Sequence, residues 1–102
     1  MKISHDEFVA MIKKSNSFKD MSDVEIADIL GGYYKYWKLE TVNIEKLKPK
    51  PRARINPAAI AFNDEPIIVD RNFNIIDGHH RYFGALKNKM DSIRIYRPGP
   101  YE

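Results

Sequence analysis

The chain has 102 residues, of which 43% are hydrophobic and 30% charged, a balance that fits one globular domain and is unlike the low-hydrophobicity, high-charge signature of disorder. It contains no cysteine, which excludes disulfides, thiolate zinc sites and cysteine nucleophiles. The net charge of +3 is unevenly placed: residues 1–30 hold six acids against four lysines, so the positive charge belongs to the remainder.

No apolar run approaches the length of a bilayer crossing, and the N-terminus MKISHDEF carries acids where a signal peptide needs an apolar core. A cytoplasmic location without a membrane partner is expected. Ser4 to Glu7 reads as a capping box, with Ile3 and Phe8 as a hydrophobic staple, and predicts a helix from Ser4 to Lys14 with His5 on its surface. Ser22 to Glu25 repeats the device with Met21 and Ile26. Ile26, Leu30, Tyr33 and Trp37 then recur at helical spacing, which predicts a second helix to Leu39. Gly31 and Gly32 weaken its middle, and a kink and an early stop are both compatible with them.

From Thr41 the pattern alternates through Val42 and Ile44, then Pro49 and Pro51 forbid a regular helix, so a strand leads into an extended segment. Asn56 and Pro57 predict a short turn through Ile60. Pro66 to Val69 and Phe73 to Ile76 are β-rich runs joined by Asp70, Arg71 and Asn72, the composition of a tight hairpin. Asp77 and Gly78 end the second of these strands, a helix follows from His80 to Asn88, and Ile93 to Tyr96 form the last strand. The fold class expected is α/β (α+β): two N-terminal helices, then a small mixed sheet of about four strands with a phosphate-binding strand-to-helix turn. Residues 1–102 make one domain, with 1–40 as a helical extension and 41–97 as the core.

The turn is Asp77, Gly78, His79, His80, Arg81. A glycine between strand and helix lets backbone approach a ligand, and the free N–H groups and positive dipole end of the helix favour an anion there. His79 and His80 add imidazole donors, Arg81 a planar fork for two phosphate oxygens, and Asp77 a carboxylate. The plainer alternative is that these residues cap the helix and pair with Asp77. A metal site from Asp77, His79 and His80 is disfavoured because neighbouring side chains point apart, so no metal ligand set is assigned.

Lys46, Lys48, Lys50, Arg52 and Arg54 place a cation at every second position, on one face of an extended chain. Such a stripe suits contacts to a nucleic-acid backbone or to the phosphate of the turn; a solvated edge that discourages aggregation is the alternative. Tyr33, Tyr34, Tyr36 and Trp37 read either as stacking surfaces or as core.

Val42 to Ile44, Leu47, Pro49, then Pro66 to Val69, Ile75, Ile76 and the run D-G-H-H-R-Y resemble the ParB/sulfiredoxin-like superfamily over residues 41–97. The resemblance implies nucleotide phosphates bound at the helix start. Sulfiredoxins carry a cysteine at the position of His79, so sulfinic-acid reduction is not expected of this chain. Chromosome-partitioning ParB proteins have G-E-R-R at the turn and a further DNA-binding helical domain, and neither is found here. The free-serine kinase type shares D-G-H-H-R and uses the aspartate matched by Asp77 with an upstream glutamate. Near Lys48 to Arg54, where that glutamate is expected, this chain has only Lys, Pro, Arg and Ala, and Glu65 is the substitute acid.

Three functions from different classes follow. The first is a nucleotide-binding protein, a phosphotransferase or nucleotide hydrolase, in which Gly78 to Arg81 hold the phosphates of ATP, ADP or CTP, Asp77 is catalytic, and Mg²⁺ is the helper ion. The second is a non-enzymatic DNA- or RNA-binding module that uses the Lys46 to Arg54 stripe. The third is a protein-interaction factor that docks a protein partner through residues 1–40 on a nucleotide-binding scaffold that has lost its chemistry.

Overall fold

The computed structural model describes residues 1–51 and 65–101. The expected turn at Asn56 to Ile60, and the cations Arg52 and Arg54, lie outside the described residues. Ile3 lies between two exposed polar residues in β1 (Lys2–Ser4), a strand that the sequence pattern did not announce. Ser4 accepts the Glu7 N–H at 3.1 Å and opens α1 (His5–Ile12), which is shorter than expected by the turn at Lys13 and Lys14. Ser22 and Glu25 make both halves of a capping box at the start of α2 (Asp23–Leu30).

The expected helix to Leu39 does not form. Gly31, at φ +91°, takes the left-handed conformation that ends helices, and the N–H groups of Gly31 and Gly32 both return to the Ala27 carbonyl at 3.0 and 2.9 Å. The chain then enters β2 (Tyr36–Asn43), in which Trp37, Lys38, Leu39 and Glu40 alternate apolar and polar. A single 3₁₀ turn (Ile44–Lys46) follows, then β3 (Ile67–Val69), β4 (Ile75–Asp77), α3 (His79–Lys87) and β5 (Ser92–Pro98).

The five strands form one mixed sheet in the order β1-β2-β5-β3-β4, one strand more than expected, because β1 pairs with the segment that was expected to be helical. β5 lies antiparallel to β2 and parallel to β3; the other pairs are antiparallel. Helices cover both faces. On one, Phe8, Ile12, Phe18, Ile26 and Leu30 pack against Trp37, Ile68 and Tyr96. On the other, Ala85 of α3 joins Val42, Ile67, Val69, Ile75, Ile93 and Ile95.

His5 is not on the surface but buried, 5% exposed. Its Nδ1 accepts the Trp37 indole N–H at 3.1 Å and the Tyr34 backbone N–H at 3.4 Å, because a buried indole donor needs an acceptor. Tyr34 and Trp37 are core residues, Tyr36 is half-buried and Tyr33 exposed. Burial first, then the neighbouring Tyr101, pushes the Tyr34 hydroxyl up to about 12. Among the described residues no helix is long and apolar enough to cross a membrane.

Candidate functional site

The β3–β4 hairpin sets up the turn. Asp70 takes up the loop donors, accepting the N–H groups of Asn72 and Asn74 at 2.8 and 2.9 Å and the Asn74 amide at 2.9 Å. The register then slips by one residue: Val69 faces Ile75, but Ile68 faces Asp77. In a regular strand Asp77 would share the face of Ile75. The slip turns it to the face of Ile68, toward α1 and the loop that follows it.

Gly78 follows at φ +106° as the N-cap of α3, and no side chain caps that helix. A Cβ at Gly78 would stand 3.0 Å from Arg81 Nη2 and 3.1 Å from Ile67 Cγ1, so the backbone here is packed from both sides. Arg81 folds back over the glycine. Its Nη1 donates to Glu65 Oε2 at 2.8 Å and its Nη2 to Asp77 Oδ2 at 3.3 Å, and its side chain is only 17% exposed. The pairing with Asp77 that a capping role implies is therefore present, and the guanidinium bridges two carboxylates.

His79 ties the turn to the basic stripe. Its Nε2 accepts the backbone N–H of Lys50 at 3.1 Å, which places the ring proton of the neutral imidazole on Nδ1. Burial first, then the Lys50 charge, holds its pKa below the usual 6.5, against the pull of Asp77. Because the folded value is depressed, the contribution to stability is complete above pH 6.5 and is lost as pH falls from there through the folded value. His79→Gln is expected to flatten that acid-side loss. Urea midpoints of parent and variant at about pH 7.5 and about pH 5.5 check it, and equal pH dependence in the two would exclude His79 as its source.

The segment leading to Lys50 runs beside β4 at the sheet edge: the Lys48 N–H bonds to Phe73 O and the Ile75 N–H to Lys48 O, each at 2.9 Å. Leu47 is buried, while Lys46, Lys48 and Lys50 are exposed. Lys46 stands on the 3₁₀ turn, 5.9 Å from the Phe73 ring, so among the described cations of the stripe only Lys48 and Lys50 lie on the extended edge.

A cleft of about 860 Å³ opens at the turn. One wall is Asp77 to Arg81 with Lys50 and Glu65; the other is the end of α1 and its following loop, Met11 to Phe18. Residues 1–40 thus contribute a wall to the site. Lys14 and Phe18 were missed by sequence reasoning, since nothing in a loop so far along the chain from Asp77 marks it as a neighbour. Among the described residues no group of three His, Asp or Glu side chains is arranged to hold a metal ion.

No protein-family model and no curated protein matches the chain. Solved structures do. The C2221 form of a Pnob8-like ParB-N domain aligns at a TM-score of 0.51 and 24% identity over 65% of this chain. Over that part of the chain the fold is similar to that of a ParB-N domain. The pNOB8-like ParB N-domain aligns at 0.46 and 24% identity over 60% of this chain. This chain matches 31% and 27% of the lengths of those two ParB-N chains.

Proposed function

We propose that the chain is a non-enzymatic module that grips the sugar–phosphate backbone of DNA or RNA, with Lys46, Lys48 and Lys50 meeting successive phosphates and the Gly78 to Arg81 turn receiving one more. The observation that carries this reading is the bond from the Lys50 N–H to His79 Nε2, which ties the basic stretch to the turn at Lys50. The likeness to ParB-N domains supports the scaffold, at the level of fold. A binding role fits better than catalysis because Asp77 is engaged by Arg81, and because the sequence has no acid between Lys46 and Arg54.

The test is fluorescence anisotropy with a labelled duplex and a labelled single strand. The three phosphates met by lysines predict a duplex affinity that falls about fortyfold between roughly 50 and roughly 200 mM salt, and a salt slope that collapses when Lys46, Lys48 and Lys50 are all replaced by Ala. Affinity indifferent to salt would sink the proposal.

A second reading, nucleotide binding at the turn with ATP, ADP or CTP and Mg²⁺ as helper, is favoured by the helix start left without a side-chain cap beside the cleft. It separates from the first by thermal shift in the same samples. A nucleotide at a hundred times its dissociation constant stabilises by about 2.7 kcal/mol, and that shift would persist in the lysine variant and vanish in Arg81→Ala.

A further inference from the structure

The strand register sets three cations in a row on one face of the sheet. Lys2 of β1 stands opposite Lys38 of β2, and Lys38 stands opposite Arg97 of β5. Like charges directly opposite each other destabilise a sheet, so this row works against the fold unless something else compensates it. Arg71, from the β3–β4 turn, completes a set of four that lines one cleft of about 730 Å³. Among the described residues, this cleft and the one at the turn share only Ile76.

Among the described residues two carboxylates lie close by, and both are engaged. Glu40 is 3.8 Å from Lys38 and 3.3 Å from Arg97, and Asp70 is taken up by the three hydrogen bonds of its own turn. The positive charge therefore exceeds the negative. Three of the four cations are also held against aromatic rings: Lys2 at 4.6 Å from the Tyr36 centroid, Arg71 at 5.6 Å from Tyr101, and Arg97 at 4.9 Å from Phe73. A cation seated on a ring face keeps its position while its N–H groups stay available at the edge. Two of the rings are braced from behind, although Tyr101 is itself 56% exposed. Tyr101 stacks on Tyr34 at 4.9 Å, and a Cβ on Gly99 would stand 2.5 Å from the Tyr36 ring. They act as supports for charge, which favours a ligand recognised by its phosphates over one recognised by base stacking.

We propose that this second cleft binds a compact oligophosphate, several phosphates joined in a short chain, through Lys2, Lys38, Arg71 and Arg97. Four cations converging from four elements on one volume match charges that are close together, where a nucleic-acid strand would need them spread along a path. The chemistry is shared by inorganic tripolyphosphate and by the triphosphate of a nucleotide. The site uses none of the residues of the turn or the stripe, so it stands or falls separately from the backbone-binding role.

The experiment is isothermal titration of tripolyphosphate, and in a second arm of ATP, into the parent, Lys2→Glu, Arg71→Glu, and a Lys48→Ala, Lys50→Ala double variant. Lys2 and Arg71 are exposed, and a melting curve verifies that their variants remain folded. Each charge reversal is expected to weaken tripolyphosphate by at least about tenfold, a larger loss than the double variant shows. ATP equal to tripolyphosphate places recognition in the phosphates alone; ATP tighter, with the same dependence on Arg71, assigns the nucleotide as the source. Absence of binding to the parent, or equal binding by parent and Arg71→Glu, overturns the site. Loss in the double variant alone also overturns it, by assigning the phosphates to the stripe and turn and leaving the backbone-binding role intact.

Discussion

Phe8→Ala is expected to remove about 3–5 kcal/mol of stability, a large part of the roughly 5–15 kcal/mol that holds a domain of this kind together. Phe8 has no exposed surface. Its ring stacks on Trp37 of β2 at 4.1 Å and 11°, and meets Tyr96 of β5 edge-on at 5.2 Å. One side chain of α1 thus touches the two strands that share the longest pairing in the sheet. Removing it leaves a cavity between two rigid rings, and neither the stacked indole nor the tyrosine can swing in to fill it. Urea unfolding followed by tryptophan fluorescence reads the loss directly, since Trp37 is the reporter and the only tryptophan. A cost below about 1 kcal/mol, far under the expected range for a buried phenylalanine, would mean that α1 is a detachable appendage. The result bears on function as well, because the loop after α1 walls the cleft at the turn.

What the sequence made legible was local chemistry, and what it concealed was pairing. Ser4 and Ser22 cap helices where their spacing to Glu7 and Glu25 says they should, because capping depends on residues three apart. The hairpin at Asp70 to Asn74 was legible for the same reason: one aspartate satisfies donors two and four residues away. Residues 33–39 misled because Tyr33 and Trp37 fit a helical period as well as Trp37 and Leu39 fit a strand period. The choice between them was made by Gly31 and by the availability of β1 and β5 as neighbours. His5 was misplaced since its acceptor role depends on Trp37, a partner no local rule points to.

At the candidate site the sequence located the five residues of the turn, but it did not show that Arg81 would be folded back between Glu65 and Asp77. Nor did it show the slip in register that turns Asp77 toward the cleft, since a bulge is a property of two strands and Val69 lies eight positions before Asp77. The row of Lys2, Lys38 and Arg97 is a third case: these residues are scattered along the chain and become neighbours only through the sheet. Charge clusters built on pairing are invisible to a reading that looks for runs.

Gly78→Val is the second large effect, and it separates the turn as a scaffold from the turn as a contact. Valine at φ +106° would be strained by roughly 1–3 kcal/mol for the backbone alone. Crowding against Ile67, which has no exposed surface and cannot yield, adds roughly 1–3 kcal/mol. The total expected is about 2–6 kcal/mol, seen as a lowered urea midpoint. The remaining contacts of the new side chain are with Arg81 Nη2 and Nε at 3.0 and 3.2 Å, and the guanidinium is the softer neighbour. It should be pushed off Gly78 and away from Asp77, which would leave a carboxylate facing the cleft without its counter-charge. Backbone binding of DNA or RNA is then expected to weaken by more than the loss of one contact, since repulsion from Asp77 adds to the missing approach at the helix start. Salt titration reads both terms: screening relieves the repulsion as it weakens the lysine contacts, so the variant should lose less affinity with salt than the parent. A variant that bound and melted like the parent would mean that the close packing of Gly78, Ile67 and Arg81 holds nothing in place.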